Sequence, residues 1–298
     1  MKNKTALGAL LTMFAMLCFA SMDAISKWLV ADYSVTQMMW IRSALFLLFA
    51  WFVVRKQGLR AALRSQRPGL QILRSLVAIV EGAAFVLAFR YLPLADTHAV
   101  GATSPLLVIA LGVLFLGERS SMARWVAVAA GFAGVMLIVR PGFRTIEWPL
   151  LIPLAGALLW ATYQLLTRLS ARFDTPGTSL VWAALVGFIA TCFVGPLEWT
   201  WPTPAAWALM AVISFIGAVA HYALIKALDY AEAGSVQPYS YTLLVWATLL
   251  GWLVFGDIPD NWTILGAAIV VLSGLYTWHH DRVSVHSTGA STTTTTSP

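Results

Sequence analysis

Ionisable side chains stand inside long apolar stretches of this 298-residue chain, and they are its first candidates for chemistry. Glu81 lies in the middle of the apolar segment 78–86. An ionisable group in such surroundings is costly, so it usually faces a cavity or a partner. We consider three roles for it: contact with a substrate ammonium, proton carriage, or a structural carboxylate hydrogen-bonded to a neighbouring helix. Asp23 and Lys27 are four residues apart and can pair along one helix face, with Arg42 as a third member, and we favour that internal ion pair over substrate contact.

Two apolar runs carry a stripe of polar or small residues together with a proline. The stripes are His98, Gly101, Ser104 and Pro105 in one run, and Gln237, Pro238 and Tyr241 in the other. Proline within a helix leaves the carbonyl four residues earlier without its donor. In a membrane such a carbonyl persists only where protein or a wet cavity satisfies it, so both stripes are expected to face the interior. The prolines either bend during transport or form a static kink.

Aromatic residues form a second set of candidates. Trp160, Tyr163 and Tyr241 lie deep in apolar runs and close to polar groups. Rings in that setting can stack on an aromatic or bulky apolar group of a ligand, although each can equally serve helix packing.

The composition indicates which kind of secondary structure carries these candidate residues. The chain is 59% hydrophobic and 11% charged, whereas a soluble domain carries about 25% charged residues. Ten apolar runs are each long enough to cross a bilayer as a helix. They cover residues 6–30, 36–55, 70–91, 94–117, 122–140, 148–170, 177–195, 205–229, 233–256 and 261–280. We therefore predict an all-α membrane protein with ten transmembrane helices in the lipid bilayer.

Charge and cysteine usage exclude several other classes. The net charge of +6 comes from basic residues between the runs, so it does not indicate nucleic-acid binding. Cys18 and Cys192 both lie inside apolar runs, which argues against a disulfide or a metal site. No HExxH, paired-carboxylate or nucleophile motif appears, so we predict neither an enzyme nor a cofactor.

The second half of the chain repeats the first. The matched pairs are Tyr91 with Tyr230, Gly117-Glu118 with Gly256-Asp257, and Lys27 with Arg168, at offsets of 139 to 141. Agreeing offsets in chain order indicate duplication. On the same offset Glu81 falls opposite Ala220-His221, so His221 is either a second titratable group or a packing histidine. The predicted halves are residues 1–142 and 143–282, followed by a Ser/Thr-rich tail, 283–298, that is expected to be disordered.

Basic residues concentrate in alternate breaks, such as 55–67, and this asymmetry places both termini in the cytoplasm. A five-helix unit crosses the membrane an odd number of times, so its second copy enters from the other side. The two five-helix repeats are therefore predicted to be inverted, an arrangement that secondary transporters use around a site near the bilayer midplane.

Two short segments carry a resemblance to a known family. The run Phe115-Leu116-Gly117-Glu118-Arg119 after a proline-containing helix, and Tyr91-Leu92-Pro93-Leu94-Ala95 before it, resemble the EamA-type branch of the drug/metabolite transporter superfamily. The second copy departs from that signature with Gly256-Asp257-Ile258. The whole chain is most similar to bacterial inner-membrane exporters of aromatic amino acids. The resemblance implies alternating access, with the third, fourth, eighth and ninth spans around a central cavity.

Residues and resemblance together predict an inner-membrane exporter of aromatic or bulky apolar amino acids. The expected substrate-binding residues are Glu81, His98, Ser104, Trp160, Tyr163, His221, Gln237 and Tyr241, with Pro105 and Pro238 as gating or kink positions. Export or exchange of other metabolites or drug-like cations is the alternative. A phosphorylated substrate would need several deep basic residues, and only Lys27 and Arg42 qualify.

Small residues form ridges on the fifth and tenth spans. They are Ala123, Ala127 and Gly131 on one span, and Gly266, Ser273 and Gly274 on the other. Such ridges indicate either close helix packing or a homodimer face.

Overall fold

A computed structural model describes residues 2–55, 58–116, 122–139, 148–230 and 239–290. These ranges contain twelve α-helices and no strand. The helices are α1 Lys2–Leu29, α2 Val35–Val54, α3 Leu59–Leu63, α4 Pro68–Tyr91, α5 Leu94–Gly101, α6 Ser104–Leu116, α7 Met122–Val139, α8 Leu151–Ser170, α9 Pro176–Cys192, α10 Pro204–Tyr230, α11 Thr242–Leu250 and α12 Asn261–Ala290. A 3₁₀ turn, Trp148–Leu150, precedes α8, and a π-helical turn, Gly251–Phe255, follows α11.

The helices have the length and composition of membrane-spanning segments. Six are long and apolar enough to cross a bilayer: Ala6–Leu29, Val35–Val54, Pro68–Tyr91, Leu94–Gly112, Trp148–Ser170 and Pro204–Ala227. Four shorter apolar helices are Trp125–Ile138, Pro176–Cys192, Thr242–Phe255 and Asn261–Tyr276. These ten segments fall on the ten predicted runs. The all-helical membrane architecture is confirmed, while ten crossings in inverted halves stay a prediction.

The fourth predicted span is two helices, because the chain unwinds between α5 and α6. Pro105 has no N–H, so the carbonyl of Gly101 loses its helical donor. The hydroxyl of Ser104 donates to that carbonyl over 2.5 Å instead. The hydroxyl of Thr103 likewise donates to the carbonyl of Val100 over 2.7 Å. The freed carbonyl is therefore satisfied by the protein, as a buried backbone group in a membrane requires.

The end of the ninth span shows the structural role of Gly256-Asp257, the second copy of the repeated glycine–acid pair. Gly256 has φ = +71°, in the left-handed region that glycine adopts without a Cβ penalty. Its N–H and that of Asp257 bond back to carbonyls of the π-helical turn. This turn ends the helix and brings the carboxylate of Asp257 to Lys27 of α1. The matching Gly117-Glu118 lies outside the described residues.

The small-residue ridges of α7 and α12 face each other within one chain. A Cβ placed on Gly134 would lie 2.7 Å from the carbonyl oxygen of Gly266. A Cβ on Gly131 would lie 3.1 Å from the Ser273 hydroxyl oxygen. Close helix packing within the chain therefore accounts for Gly131, Gly266 and Ser273, whereas Gly274 packs against Tyr241. Ala127 is buried, and the side chain of Ala123 is not among those described. A homodimer through these spans would have to use their outward faces.

The last helix is longer than the sequence predicts. α12 continues through Ala290, so residues 283–290 are helical where disorder is expected. Helix propagation adds one hydrogen bond for each residue once a nucleus exists, and the apolar run before residue 280 supplies that nucleus. Residues 291–298 lie outside the described part, where the disorder prediction stays untested.

Candidate functional site

A cavity of about 90 Å³ lies among α1, α2, α4, α5, α6, α8, α10 and α11. At about 10–15 Å³ for each molecule, it holds roughly six to nine waters. Its walls include the unwound turn between α5 and α6, the middle of α4 and the middle of α1. The cavity therefore sits near the midpoints of the helices, where polar groups are most costly to bury and so most informative.

One wall of the cavity carries charges of both signs. Asp23 Oδ2 lies 3.2 Å from Nε2 of His98, and the two residues are 8% and 4% exposed. The contact lacks hydrogen-bond geometry, so the buried His98 Nε2 has no hydrogen-bond partner among the residues described. Arg42 is within electrostatic reach of Asp23 and Glu81, yet no carboxylate oxygen in the described ranges lies within 4.0 Å of its guanidinium.

Aromatic rings line the cavity beside this polar wall. Phe19 meets Trp160 edge to face, with ring centroids 5.9 Å apart, and His221 in the same way at 4.9 Å. Phe85 stacks on His98, with an interplanar angle of 17°. Phe19 and Phe85 were not predicted, because a phenylalanine in an apolar run carries no sign that it faces a cavity rather than a helix or lipid.

Most predicted site residues come together at this cavity. They are Glu81, His98, Ser104, Pro105, Trp160, His221 and Tyr241. Tyr163 does not line it: the ring is 5% exposed and lies behind Trp160, at 5.5 Å between centroids. Gln237 and Pro238 lie outside the described residues. The structure therefore groups the candidates without assigning any of them a role.

Two of these residues, Glu81 and Tyr241, show whether the candidate side chains already have hydrogen-bond partners within the protein. Glu81 accepts no hydrogen bond from the part of the chain that the structure describes, so the expectation of a hydrogen-bonded structural carboxylate finds no donor there. Tyr241 is 7% exposed, and its ring packs closely over Gly274 of α12. Its hydroxyl has no hydrogen-bond partner within the described ranges.

The predicted pair of Asp23 with Lys27 is wrong. Lys27 Nζ instead donates to Asp257 Oδ2, and its ammonium lies 4.8 Å from the ring centroid of Phe255. The Lys27 and Asp257 side chains are 16% and 27% exposed. Asp23, one turn earlier on α1, faces the cavity and His98. Helical spacing permits the i,i+4 pair, but the turn at Gly256 presents a closer carboxylate to Lys27.

A second polar cluster, which sequence reasoning missed, joins α4, α8 and α9. Arg74 is fully buried. Its Nη2 donates to the carbonyl of Ser179 over 2.6 Å, and its Nε donates to Gln71 Oε1 over 3.2 Å. Gln71 Nε2 in turn donates to Asp174 Oδ2 over 2.9 Å. Arg74 was overlooked as a deep basic residue, although it lies seven residues before Glu81 in the same apolar run.

Asp174 receives three hydrogen bonds in the connection between α8 and α9. Burial alone would raise its pKa, but hydrogen bonds from Gln71, from the Ser65 hydroxyl and from the Gln66 backbone N–H outweigh burial and hold the pKa of this carboxyl below its usual range. The network therefore keeps Asp174 ionised and ties the connection to α4.

The Lys27–Asp257 ion pair and the polar cluster around Arg74 lie at opposite ends of the cavity. We name these ends the Lys27 end and the Arg74 end. Lys27 is one turn beyond Asp23 toward the C-terminus of α1, whereas Arg74 is two turns before Glu81 toward the N-terminus of α4. Short connections through α2 make α1 and α4 run in the same direction. The cavity residues therefore lie between the two ends.

A smaller cavity of about 40 Å³ extends toward the Arg74 end. Arg42 and His221 line both cavities, and Tyr163 and Ser75 line only the smaller one. The ring of Tyr163 lies 5.6 Å from the guanidinium carbon of Arg74. A continuous series of polar side chains thus joins the central cavity to the buried arginine.

Comparison with known proteins gives a family context. The model of the EamA-like transporter family matches residues 6–140 and 147–277. A riboflavin transporter from Rhizobium johnstonii is 33% identical over 92% of this chain and 91% of its own length. A riboflavin transporter from Vibrio cholerae is 31% identical over 91% of this chain and 93% of its own.

More distant matches widen the range of substrates. An S-adenosylmethionine uptake transporter from Rickettsia prowazekii is 24% identical over 76% of this chain and 77% of its own. A protein crystal structure, 18% identical, aligns with a TM-score of 0.64 over 90% of this chain and 95% of that chain. At that identity the likeness shows the fold alone.

Proposed function

The chain belongs to the EamA-like transporter family, and we propose that its substrate is riboflavin, carried across the bacterial inner membrane. It is a multi-pass membrane protein and a transporter by family. The two relatives described above that exceed 30% identity, from Rhizobium johnstonii and Vibrio cholerae, are named riboflavin transporters, and this similarity favours a flavin over the amino acid expected from the sequence.

The observation that carries the proposal is the meeting of aromatic and unsatisfied polar walls in one central cavity. Riboflavin combines a flat tricyclic ring with a chain of hydroxyl groups. Phe19 and Trp160 offer aromatic surfaces for stacking, which is favourable between offset or edge-on rings. Arg42 and His98 offer hydrogen-bonding atoms that the described protein groups leave largely unused.

The size of the cavity supports alternating access as the proposed mechanism. A volume of about 90 Å³, space for roughly six to nine waters, is too small for a tricyclic ring with its side chain, so we expect the walls to separate when substrate enters. Opening at the Lys27 end or at the Arg74 end, one at a time, would expose the cavity to one side of the membrane. We propose that inverted repeats provide the two related openings.

Orientation and direction are part of the same proposal. Both termini are placed in the cytoplasm on the basic-residue asymmetry, and the direction of transport is proposed as export. Reporter fusions after residue 64 are expected on the cytoplasmic side and fusions after residue 199 on the periplasmic side. The reverse pattern at both sites would overturn the orientation and the inverted repeat together.

Export of an aromatic amino acid is the second candidate, favoured by the charges of both signs at the cavity. A zwitterion needs partners for an ammonium and for a carboxylate, and Glu81 and Arg42 line the same cavity. If such amino acids are carried, Trp160→Ala and Tyr241→Ala should reduce transport of phenylalanine or tryptophan more than transport of alanine. Equal losses would mean that these rings only pack the bundle.

Purified protein in proteoliposomes decides between these substrates. Counterflow of radiolabelled riboflavin into vesicles loaded with unlabelled riboflavin does not depend on the direction of transport in the cell. We expect saturable riboflavin exchange that unlabelled riboflavin inhibits more strongly than tryptophan or S-adenosylmethionine. Exchange no faster than in protein-free liposomes, with tryptophan exchange present, would reject riboflavin in favour of the second candidate.

A matched pair of tryptophan variants tests whether the cavity is the site. Trp160 lines the cavity, whereas Trp201 is 79% exposed outside the helices. Loss of one stacking partner should weaken riboflavin binding about 10-fold in Trp160→Ala, and Trp201→Ala should bind as the parent does. Equal effects in the two variants would remove the cavity from the proposal.

A further inference from the structure

We propose that Asp23, His98 and Arg42 together recognise a cyclic imide, the –C(=O)–NH–C(=O)– edge of a heteroaromatic ring. The inference rests on the proposed function and names the part of the flavin that the cavity binds. An imide edge presents an acceptor, a donor and an acceptor in a row. A complementary protein surface presents a donor, an acceptor and a donor.

Asp23 supplies the central acceptor. Its carboxylate is one turn from the Lys27 ion pair but takes no part in it, and it lines the cavity instead. An ionised carboxylate accepts hydrogen bonds only, so a ligand N–H is its natural partner. No hydrogen bond to Asp23 is found among the described side chains and backbone groups. Its contact with His98 uses Oδ2, which leaves Oδ1 available to a ligand N–H.

His98 supplies one flanking donor, in its Nε2–H tautomer. Its Nε2 lies 3.2 Å from Asp23 Oδ2 without hydrogen-bond geometry to it. The ring is held by Phe85, stacked at 5.8 Å between centroids, and by Phe89 at 5.7 Å. A buried polar atom without a hydrogen-bond partner is rare and calls for an explanation, and a role in binding a ligand carbonyl would provide one.

Arg42 supplies donors on the side of α2 and α4. Its Nη1 donates to the sulfur of Met22 over 3.7 Å, a weak acceptor next to Asp23 in sequence. A Cβ on Gly82 would lie 3.0 Å from Nη2, so a glycine there gives the guanidinium its place. Guanidinium carries five N–H donors. The remaining donors can serve a carbonyl oxygen without breaking an ion pair within 4.0 Å in the described ranges.

The pattern discriminates among the substrates under consideration. Riboflavin has one imide, in the pyrimidine part of its ring, and methylation of the imide nitrogen N3 removes its only ring N–H donor. Phenylalanine and tryptophan have no imide. The adenine of S-adenosylmethionine presents an amino group and ring nitrogens instead. Asp23 with its two neighbours therefore fits riboflavin better than it fits either other class.

Comparison of riboflavin with N3-methylriboflavin tests this inference on the unmodified protein. A hydrogen bond to a charged group contributes about 1.5–3 kcal/mol, so the parent protein should bind riboflavin about 10–100-fold more tightly than the N3-methyl compound. Binding is measured by quenching of flavin fluorescence with purified protein in detergent or nanodiscs. This measurement needs no variant and therefore does not depend on the folding of one.

Variants then identify the residues that cause the preference for riboflavin over N3-methylriboflavin. In Asp23→Ala the ratio of the two affinities should fall below about threefold, whereas a purely structural change would weaken both flavins equally. His98→Gln retains a donor and should keep more of the riboflavin affinity than His98→Ala. Asp32→Ala, at an exposed aspartate between α1 and α2, is the matched control and should leave the ratio unchanged.

The outcomes separate this inference from the proposed function. If riboflavin is transported but the N3-methyl compound binds equally well, the imide assignment is wrong and the transport function stands. If Asp23→Ala keeps the parent ratio, Asp23 is not the acceptor and the assignment is again wrong. If neither flavin binds or is transported, riboflavin itself is rejected, and the imide inference is rejected with it.

Discussion

A buried hydrogen-bond network lies at the Arg74 end of the bundle, whereas one partly exposed ion pair lies at the Lys27 end. Arg74 has no exposed surface and bonds to Gln71 and to the Ser179 carbonyl. The Lys27 and Asp257 side chains are 16% and 27% exposed. At each end of the cavity, a basic residue lies toward one terminus of a long helix. Lys27 and Arg74 differ mainly in how deeply they are buried.

We expect burial to decide how strongly the contacts at each end resist opening of the cavity at that end. A solvent-exposed ion pair contributes about 0.2–1 kcal/mol, because water and side-chain entropy offset most of the attraction. Breaking a buried charged network costs roughly 3–5 kcal/mol, because the remaining partners lose their hydrogen bonds without gaining water. The Lys27 end should therefore open more readily, and a protein without substrate should be closed at the Arg74 end.

Removal of the buried arginine should have the largest effect on stability. Arg74→Met keeps much of the side-chain volume but leaves Gln71 and the Ser179 carbonyl without their donor. We expect the free energy of unfolding to fall by roughly 3 kcal/mol. Thermal unfolding in detergent measures the change, with Arg55→Met as control, since Arg55 is exposed and stacked on Phe52. Equal stability of the two variants would contradict the proposed role of the network.

Loss of the carboxylate at the same end should have a smaller and pH-dependent effect. Because hydrogen bonds hold the pKa of Asp174 below its usual range, this carboxylate stabilises the fold above its unfolded pKa of about 3.9 and ceases to do so as pH falls through the lower folded pKa. Asp174→Asn should cost about 1 kcal/mol at pH 7, after allowance for partial exposure.

The pH profile provides the check on Asp174. The difference in unfolding free energy between parent and Asp174→Asn should be constant from about pH 5 to 8 and shrink below about pH 4. A difference that grows toward acid pH would have the wrong sign for a carboxyl with a lowered pKa.

The ion pair at the other end should matter less for stability. Lys27→Met and Asp257→Asn should each change the unfolding free energy by less than about 1 kcal/mol. A double-mutant cycle with Lys27→Met and Asp257→Asn isolates the coupling, expected at about 0.2–1 kcal/mol. A coupling near 3 kcal/mol would make the two ends equivalent and remove the asymmetry.

The smallest effect is expected for the aromatic partner of Lys27. Phe255→Leu removes a cation–π contact with Lys27. We expect this contact to contribute about 0.5–1 kcal/mol, the lower part of the range for such contacts, because the ion pair of Lys27 is partly exposed. The same substitution in a Lys27→Met background should cost less, because the cation is already absent. An equal cost in both backgrounds would show that Phe255 acts through packing alone.

Much of the architecture could be predicted from the sequence, because apolar length is a direct signal of membrane helices. The break in the fourth span lies just before Ser104-Pro105, where the sequence predicted a bend or a static kink, since proline chemistry is local. The hydrogen bond from the Ser104 hydroxyl to the carbonyl of Gly101 was not predicted. Whether a side chain donates to a backbone carbonyl earlier in the chain depends on backbone geometry, which sequence spacing does not determine.

Several residues that line the cavity could be predicted from the sequence, but their pairings could not. Glu81, His98 and His221 each stood out as ionisable groups in apolar runs, and all three line one cavity. The partners of Asp23 and Lys27 come from helices distant in sequence, so helical spacing alone selected the wrong pair. Arg74 escaped notice because a basic residue near a span end is usually solvated, and only the packing of α4, α8 and α9 shows that this one is buried.

The most direct test of the asymmetry is the rate at which each side of the membrane gains access to the cavity. Ala102, in the unwound turn at the cavity wall, is replaced by cysteine in a Cys18→Ser, Cys192→Ser background. A membrane-impermeant maleimide is added to either face of oriented vesicles. Leu197→Cys marks the face of the Lys27 end, because the carbonyl of the adjacent Glu198 accepts a hydrogen bond from Ser34 beyond the C-terminus of α1. Ala171→Cys marks the face of the Arg74 end, because Ala171 lies three residues before Asp174, and both positions are exposed.

Without substrate, Ala102→Cys should react at least about tenfold faster from the face that Leu197→Cys identifies, as a difference of roughly 2 kcal/mol between the two closures requires. Lys27→Met should accelerate that reaction further and leave the opposite face unchanged. Equal reaction from both faces, or faster reaction from the face marked by Ala171→Cys, would contradict the account.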